Sequence, residues 1–284
     1  KINAHKIGKV ISGNKLMINN FEARFVFEID KFRDHWFRTS TLLDNKQTSN
    51  NLSEIRYKNF KKQPLNFIFP NKFKGEFPDQ SHEPRPKAAI IREKGSNSER
   101  ELANALFLSG FDVKDVHMTD LISGKETLTD FHFLGAVGGF SNSDVLGSAK
   151  GWAGSFKYND KARKSLNDFF KRDDTLSIGI CNGCQLFMEL DLINPEHTKH
   201  GKMTFNDSKK HESSFTSVKI NSNNSVMMKS LSGTTLGVWI SHGEGKFKLP
   251  FVEKKYNIVA KYGYKEYPSN PNGHIGTLTT ESID

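Results

Sequence analysis

The run Gly179-Ile180-Cys181-Asn182-Gly183-Cys184-Gln185 has the form Gly-x-nucleophile-x-Gly, with cysteine in the central place. It follows a strand-forming stretch, Thr175 to Ile180, and opens a helix-like pattern. A sharp strand-to-helix turn lifts the central side chain clear of the backbone, and flanking glycines remove side chains that would clash there. The helix N-terminus favours a thiolate, which predicts a lowered pKa for Cys181. The Asn182 N–H then points to where an oxyanion develops in acyl transfer. The competing reading is a structural cysteine at a strand end. Cys181 and Cys184 are the chain's two cysteines, and Cys-x-x-Cys also reads as half a zinc site or a redox pair. A zinc site wants a second ligand pair, and none stands at finger-like spacing, so no metal is expected.

Gly138-Gly139-Phe140-Ser141 closes another strand-like stretch, His132 to Val137. A glycine pair lets backbone N–H groups approach a bound carbonyl, so Gly139 can supply a second oxyanion donor; a plain tight turn is the equal alternative. His242 and Glu244 sit together in Ile240-Ser241-His242-Gly243-Glu244-Gly245, after a strand. They are candidate pocket residues, although a lone histidine is more often structural. His274, in the turn Asn270-Pro271-Asn272-Gly273-His274, is expected at the solvent surface.

These segments need a scaffold, and the pattern between Lys87 and Cys181 supplies one. Ala88-Ala89-Ile90-Ile91-Arg92 reads as a buried strand. Ser98 with Glu101 forms a capping box for a helix through Leu102, Ala105, Leu106 and Leu108, closed by Gly110. Phe111 to Val116 is the next strand, and Asp160 caps a helix carrying Ala162, Leu166, Phe169 and Phe170. Strands alternating with helices predict an α/β fold, a doubly wound, mostly parallel sheet whose site lies at the carboxyl ends of strands. From about residue 203 strands dominate, which predicts a mixed extension of that sheet.

Ahead of this lies a smaller segment, roughly 1–45, with a strand Phe25 to Ile29 and a short helix capped by Asp30 containing Phe32, Trp36 and Phe37. It is too small for a convincing core of its own. Residues 46–86 are rich in Asn, Lys, Ser and Pro and read as a linker. The predicted domains are therefore 1–45, the linker 46–86, and 87–284. The net charge of +9 is carried mostly by the first part: Lys1 to Lys87 holds 17 basic and 9 acidic residues. A solvated lysine-rich surface explains this better than nucleic-acid binding. No apolar run is long enough to span a membrane, and no signal peptide opens the chain. Two closely spaced cysteines suit a reducing cytoplasm.

Taken in order, the motifs resemble one family. Arg85-Pro86-Lys87, Arg92 to Asn97, Asp115-Val116-His117-Met118, Gly138 to Ser141, Asp144-Val145-Leu146-Gly147 and Gly151-Trp152-Ala153 are similar to the opening of the glutaminase domain of large, single-chain formylglycinamidine synthases. Gly179 to Gln185, Ser241 to Gly245 and Tyr267 to Gly273 continue the series, so the resemblance covers about 86–284. More weakly, Ile7 to Val10 and Phe32 to Trp36 resemble the tail of that family's synthetase portion. The resemblance implies a class I glutamine amidotransferase domain of flavodoxin-like architecture. It implies Cys181 as nucleophile on glutamine, backbone oxyanion donors at Gly139 and Asn182, and glutamine-binding roles for Gln185, Gly138 and Ser141. ATP and Mg²⁺ would serve the synthetase domains of the parent chain, with no cofactor in this region.

The sequence departs from the family at Lys94, where Gln is usual, and at Asn142-Ser143, where Tyr-Gly is common. The family's His-Pro-Glu motif follows the Asn-Pro-Asn-Gly turn, and the 284 residues stop before it. The expectation on this reading is a domain incomplete at its C-terminus and inactive alone. Two rivals remain open: another cysteine hydrolase on the same fold, and a non-catalytic docking domain.

Overall fold

The computed structural model describes residues 2–77, 79, 84–273 and 275–279. The chain forms two compact units, Lys1–Pro64 and Leu65–Asp284. In the first, β1 (Lys15–Asn19) and β2 (Arg24–Glu28) make an antiparallel pair, pinned at its open end by the ion pair of Lys15 with Glu28. Helix α1 (Ile29–Gln47) carries Asp30 in its first turn and Lys46 in its last, both favourable to the helix dipole. It is far longer than the short helix expected, and Glu28, not Asp30, occupies the N-cap without a side-chain bond.

The segment read as a linker holds a second helix, α2 (Leu52–Asn59), which belongs to this first unit. Tyr57 Oη donates to the Asp34 carbonyl at 3.1 Å, Ser53 Oγ to the Thr41 carbonyl at 3.1 Å, and Phe37 stacks on Phe60. A polar sequence therefore folds here through contacts with α1. No α1 side chain is fully buried, in keeping with the small core expected.

The second unit is built on a parallel sheet. Its elements run β3 (Lys87–Arg92), β4 (Ser96–Asn97), α3 (Glu99–Leu108), β5 (Asp112–His117), α4 (Met118–Ser123), β6 (Phe133–Ala136), β7 (Gly138–Gly139), α5 (Lys150–Lys157), α6 (Asp160–Phe170), β8 (Leu176–Gly179) and α7 (Asn182–Glu189). The sheet order is β5-β3-β6-β8, all neighbours parallel. Ala88 to Ile91 are wholly buried, as strands covered on both faces require. Trp152, Phe156, Phe169, Leu186 and Phe187 bring the helices into the same core.

Two predicted caps differ in detail. Ser98 precedes α3 with φ 77° and makes no side-chain cap bond, because the left-handed backbone turns its hydroxyl away from the helix end. Asn159 caps α6 by accepting from the Ala162 N–H, with Asp160 as the first helical residue.

The remaining strands do not extend the parallel sheet. β10 (Glu212–Ile220), β11 (Thr235–His242), β13 (Asn257–Tyr262) and β14 (Ile275–Thr279) form a separate antiparallel sheet ordered β11-β10-β13-β14, and β9 (Lys202–Thr204) pairs with β12 (Lys246–Lys248). The predominance of strand-like segments here carried no information about their partners. Ile68 exchanges both backbone hydrogen bonds with Thr235 at 2.9 Å, and Phe67 lies 6.2 Å from Phe215. Phe67 and Ile68, assigned to the linker, thus lie against this sheet. Among the described residues no helix is long and apolar enough to cross a membrane.

Candidate active site

β8 runs straight into Cys181, which adopts φ 55° and ψ −108° before α7 begins at Asn182. That backbone is strained for a residue with a side chain, and it presents the sulfur above the sheet. Gly183 makes the turn feasible: a Cβ there would lie 2.1 Å from the Ala136 carbonyl oxygen, so helix and strand approach too closely for any side chain. Gly183→Ala is expected to cost about 1–3 kcal/mol, read as a lowered urea midpoint, and to displace the Cys181 turn.

Gly139, at φ 104°, meets the same place from the neighbouring strand end. β7 pairs antiparallel with β4, and Phe140 N–H donates to the Gly95 carbonyl at 2.8 Å, which fixes the glycine pair. The backbone N–H groups of Gly139 and Asn182 lie beside the Cys181 thiol and favour its thiolate form. They are placed to receive negative charge, first on sulfur and then on an oxygen bonded to the carbon it attacks.

Cys181 is solvent-exposed as a residue, while its sulfur sits within the cavity wall and donates to the Ser241 carbonyl at 3.3 Å. Desolvation pushes the thiol pKa above its ordinary value, and the two N–H groups offset this only in part. The lowered pKa expected from the helix N-terminus is therefore not what the site produces: burial outweighs it. The nearby Asp144 carboxylate raises the value further.

A chain of buried hydrogen bonds ties the predicted segments together. Ser141 N–H donates to Asn182 Oδ1 at 3.0 Å, Asn182 Nδ2 to Gln185 Oε1 at 2.7 Å, and Gln185 Nε2 to the Glu244 carbonyl at 3.0 Å. Gln185 lines the cavity with both ends of its amide engaged by protein, so it shapes the pocket wall. Gly138 packs behind the nucleophile, where a Cβ would lie 3.3 Å from that of Cys181. The Ser141 hydroxyl is buried.

His242 and Glu244 line the same cavity of about 730 Å³ as Cys181 and Gln185. His242 Nδ1 lies 2.9 Å from Asn206 Oδ1, and the Glu244 carboxylate accepts from both the N–H and the hydroxyl of Ser148. The expected exposure of His274 falls outside the described residues.

Several residues of the site have no counterpart in the sequence reading. Asn206 is fully buried, and its Nδ2 donates to the carbonyls of His242 and Lys210 at 2.6 and 3.0 Å. Its Oδ1 accepts from the Gly245 N–H and from Asn272 Nδ2. One side chain therefore joins the loop after β9, the end of β11 and the Asn-Pro-Asn-Gly turn. Asp144, Lys150 and His211 also line the cavity. Asp144 stood within a recognised motif, but nothing local showed that it faces the nucleophile.

Comparison with known proteins follows the same residues. The chain is 40% identical over 229 residues to the probable phosphoribosylformylglycinamidine synthase, chloroplastic/mitochondrial, of Arabidopsis thaliana, covering 77% of this chain and 16% of that protein. It is 42% identical over 212 residues to the probable phosphoribosylformylglycinamidine synthase of Caenorhabditis elegans, covering 67% of this chain and again 16% of the relative. The chain thus spans about a sixth of the length of these relatives. Among solved structures, a chain of PurLQS from Thermotoga maritima superposes with a TM-score of 0.54 at 22% identity, over 69% of this chain and 82% of that one, a likeness of fold. Residues 85–282 match the model of the CobB/CobQ-like glutamine amidotransferase domain. The elbow, the paired backbone donors and the cavity all fall within that match, and the chain belongs to the CobB/CobQ-like glutamine amidotransferase domain family.

Proposed function

We propose that this chain is the glutaminase part of a phosphoribosylformylglycinamidine synthase, releasing ammonia from glutamine for the synthetase domains of its parent protein. The observation that carries the reading is Cys181 on a strained turn at the head of α7, lining the cavity with Gly139 and Gln185. In the reaction, the sulfur attacks the carboxamide carbon and the carbonyl electron pair moves onto oxygen, where the two N–H groups hold it. The carbon–nitrogen bond then breaks, and the thiol proton leaves with ammonia. Water cleaves the thioester to glutamate and restores the thiol.

The ammonia would serve the ATP-dependent conversion of formylglycinamide ribonucleotide to formylglycinamidine ribonucleotide in purine biosynthesis. On this reading ATP and Mg²⁺ act in the synthetase portion. Among the described residues of this chain, no group of three or more His, Cys, Asp or Glu is placed to hold a metal ion. Both cysteines are free thiols, which suits a reducing compartment, either the cytoplasm or an organelle like that named for the Arabidopsis relative.

The test is intact mass and peptide mapping after incubation with a glutamine-mimicking diazoketone. One adduct is expected, on Cys181. A folded chain that takes no diazoketone, while iodoacetamide alkylates Cys181, would show a nucleophile without a glutamine pocket and sink the proposal.

A further inference from the structure

His211 stands between two anchored residues. The carbonyl of Lys210, just before it, accepts from Asn206 Nδ2 at 3.0 Å, and Glu212, just after it, pairs with His242 across β10 and β11. Glu212 is buried, so the alternation of an extended chain turns His211 to the opposite, exposed face, which it shares with Ser241. There the ring has two contacts: Nε2 lies 3.2 Å from Ser241 Oγ, and the ring centroid lies 6.2 Å from that of Phe140.

Ser241 joins this ring to the nucleophile. Its carbonyl accepts from Cys181 Sγ at 3.3 Å while its hydroxyl meets His211 Nε2, so the thiol and the imidazole lie on two sides of one residue. Both line the cavity. Phe140 brackets the ring from the other loop, directly after Gly139, whose N–H lies beside the thiol.

The other charged or titratable groups around the ring are Asp144, Lys150, His242 and Glu244 of the cavity wall, and Lys210 and Glu212 beside it in the chain. Glu244 is engaged by Ser148, Lys150 Nζ by the Leu146 carbonyl, and Glu212 by the Tyr267 hydroxyl. His242 Nδ1 faces Asn206 Oδ1 at 2.9 Å, and Asp144 opposes ionisation of the thiol. His211 is held differently. As a neutral ring it meets the Ser241 hydroxyl as a dipole only. As an imidazolium it donates Nε2–H to that hydroxyl and brings a positive charge to the thiol's side of the cavity, which favours the thiolate. We propose that His211 is a positioning residue for the nucleophile, its imidazolium held by the Ser241 hydroxyl so that its charge promotes the Cys181 thiolate. His211 belongs to a different segment from the His-Pro-Glu motif of the family, and the assignment concerns the nucleophile of the glutaminase site proposed above.

The test is the rate of Cys181 alkylation by iodoacetamide, an uncharged reagent, on the complete chain as a function of pH. For the wild type the logarithm of the rate should rise with a slope below one between about pH 5 and 8, where histidine loses its charge, and resume unit slope above. On the acid side the rate should stand about three- to tenfold above the line extrapolated from the alkaline limb, the effect of lowering a thiol pKa by up to about one unit. His211→Gln keeps a hydrogen-bonding group without the charge, and should give a single unit slope that joins the wild-type alkaline limb. His211→Lys keeps the charge throughout, and should exceed the wild-type rate at about pH 8 by a similar factor. The position is exposed, so both variants should retain the wild-type urea midpoint, measured alongside. A shoulder that persists in His211→Gln would assign the charge to another group, His242 foremost, and overturn the proposal. Uniform slowing at every pH, or equal rates for the Gln and Lys variants, would reduce His211 to a structural contact and overturn it as well. Iodoacetamide reads the thiol without calling on glutamine, so failure here and failure of the glutaminase reading are separate results.

Discussion

Cys181→Ala is expected to abolish covalent capture of the diazoketone and to lower any glutaminase turnover by about 10⁴-fold or more, because among the described residues lining the cavity no other thiol is present to form the thioester. Cys184 will not substitute, although it is only three residues away. Its sulfur lies inside the protein, and desolvation followed by the neighbouring Cys181 charge pushes its pKa up to about 12. At neutral pH only about one part in 10⁵ is then thiolate. The same reasoning fixes a pH signature for the wild-type chain. Since burial raises the Cys181 pKa, its alkylation rate should still climb in the alkaline range where an ordinary thiol is already ionised. A plateau near neutrality would contradict the desolvated site described here.

The second large effect is expected at a residue that never meets substrate. Asn206→Ala removes two donated and up to three accepted hydrogen bonds at a position with no solvent access. The groups left behind include buried backbone carbonyls, an N–H and the Asn272 amide, and unsatisfied buried groups cost about 1–3 kcal/mol each. Partial rescue by water brings the expected loss to about 3–5 kcal/mol. Urea unfolding would show it as a lowered midpoint at unchanged slope. Diazoketone capture should fall with it, because the Ser241–Gly245 turn supplies both the Cys181 contact and the Gln185 contact. A variant of wild-type stability would mean that the three segments hold together without their shared amide.

The division between what was legible in the sequence and what was not follows the range of the forces involved. The elbow is local: glycine spacing, a preceding strand and a following helix are all set within about ten residues, and Cys181, Asn182 and Gly183 sit as that pattern requires. The parallel layer was legible because Ala88–Ile91 and Phe133–Ala136 are continuous apolar runs, which only strands buried on both faces carry. The second sheet was misassigned because strand-forming composition does not specify which strand is the neighbour.

Helix α2 was hidden by its polar composition, since its order comes from Asp34, Thr41 and Phe37 of a different helix. The Asn206 hub and the cavity position of Asp144 were invisible for the same reason. Each depends on segments about forty to a hundred residues apart meeting at one point, as Asn206 does with His242 and Ser148 with Glu244. The thiol pKa was misjudged in sign because the helix N-terminus can be read from a sequence, whereas the depth of the cavity cannot.

The pairing of Ile68 with Thr235 bears on how this protein should be cut. β11 is the outermost strand of its sheet, and Trp239 stands 75% exposed upon it. Outermost strands with free N–H and C=O groups are templates for intermolecular pairing. The Ile68 segment caps the start of that edge and lays Phe67 against Phe215. A version trimmed to the family match, beginning at Arg85, would keep every cavity residue and lose this cap. It should fold yet self-associate, as light scattering would report. A version beginning at Leu65 should remain dispersed, which makes the stretch before Arg85 a guard against aggregation and not a dispensable tether.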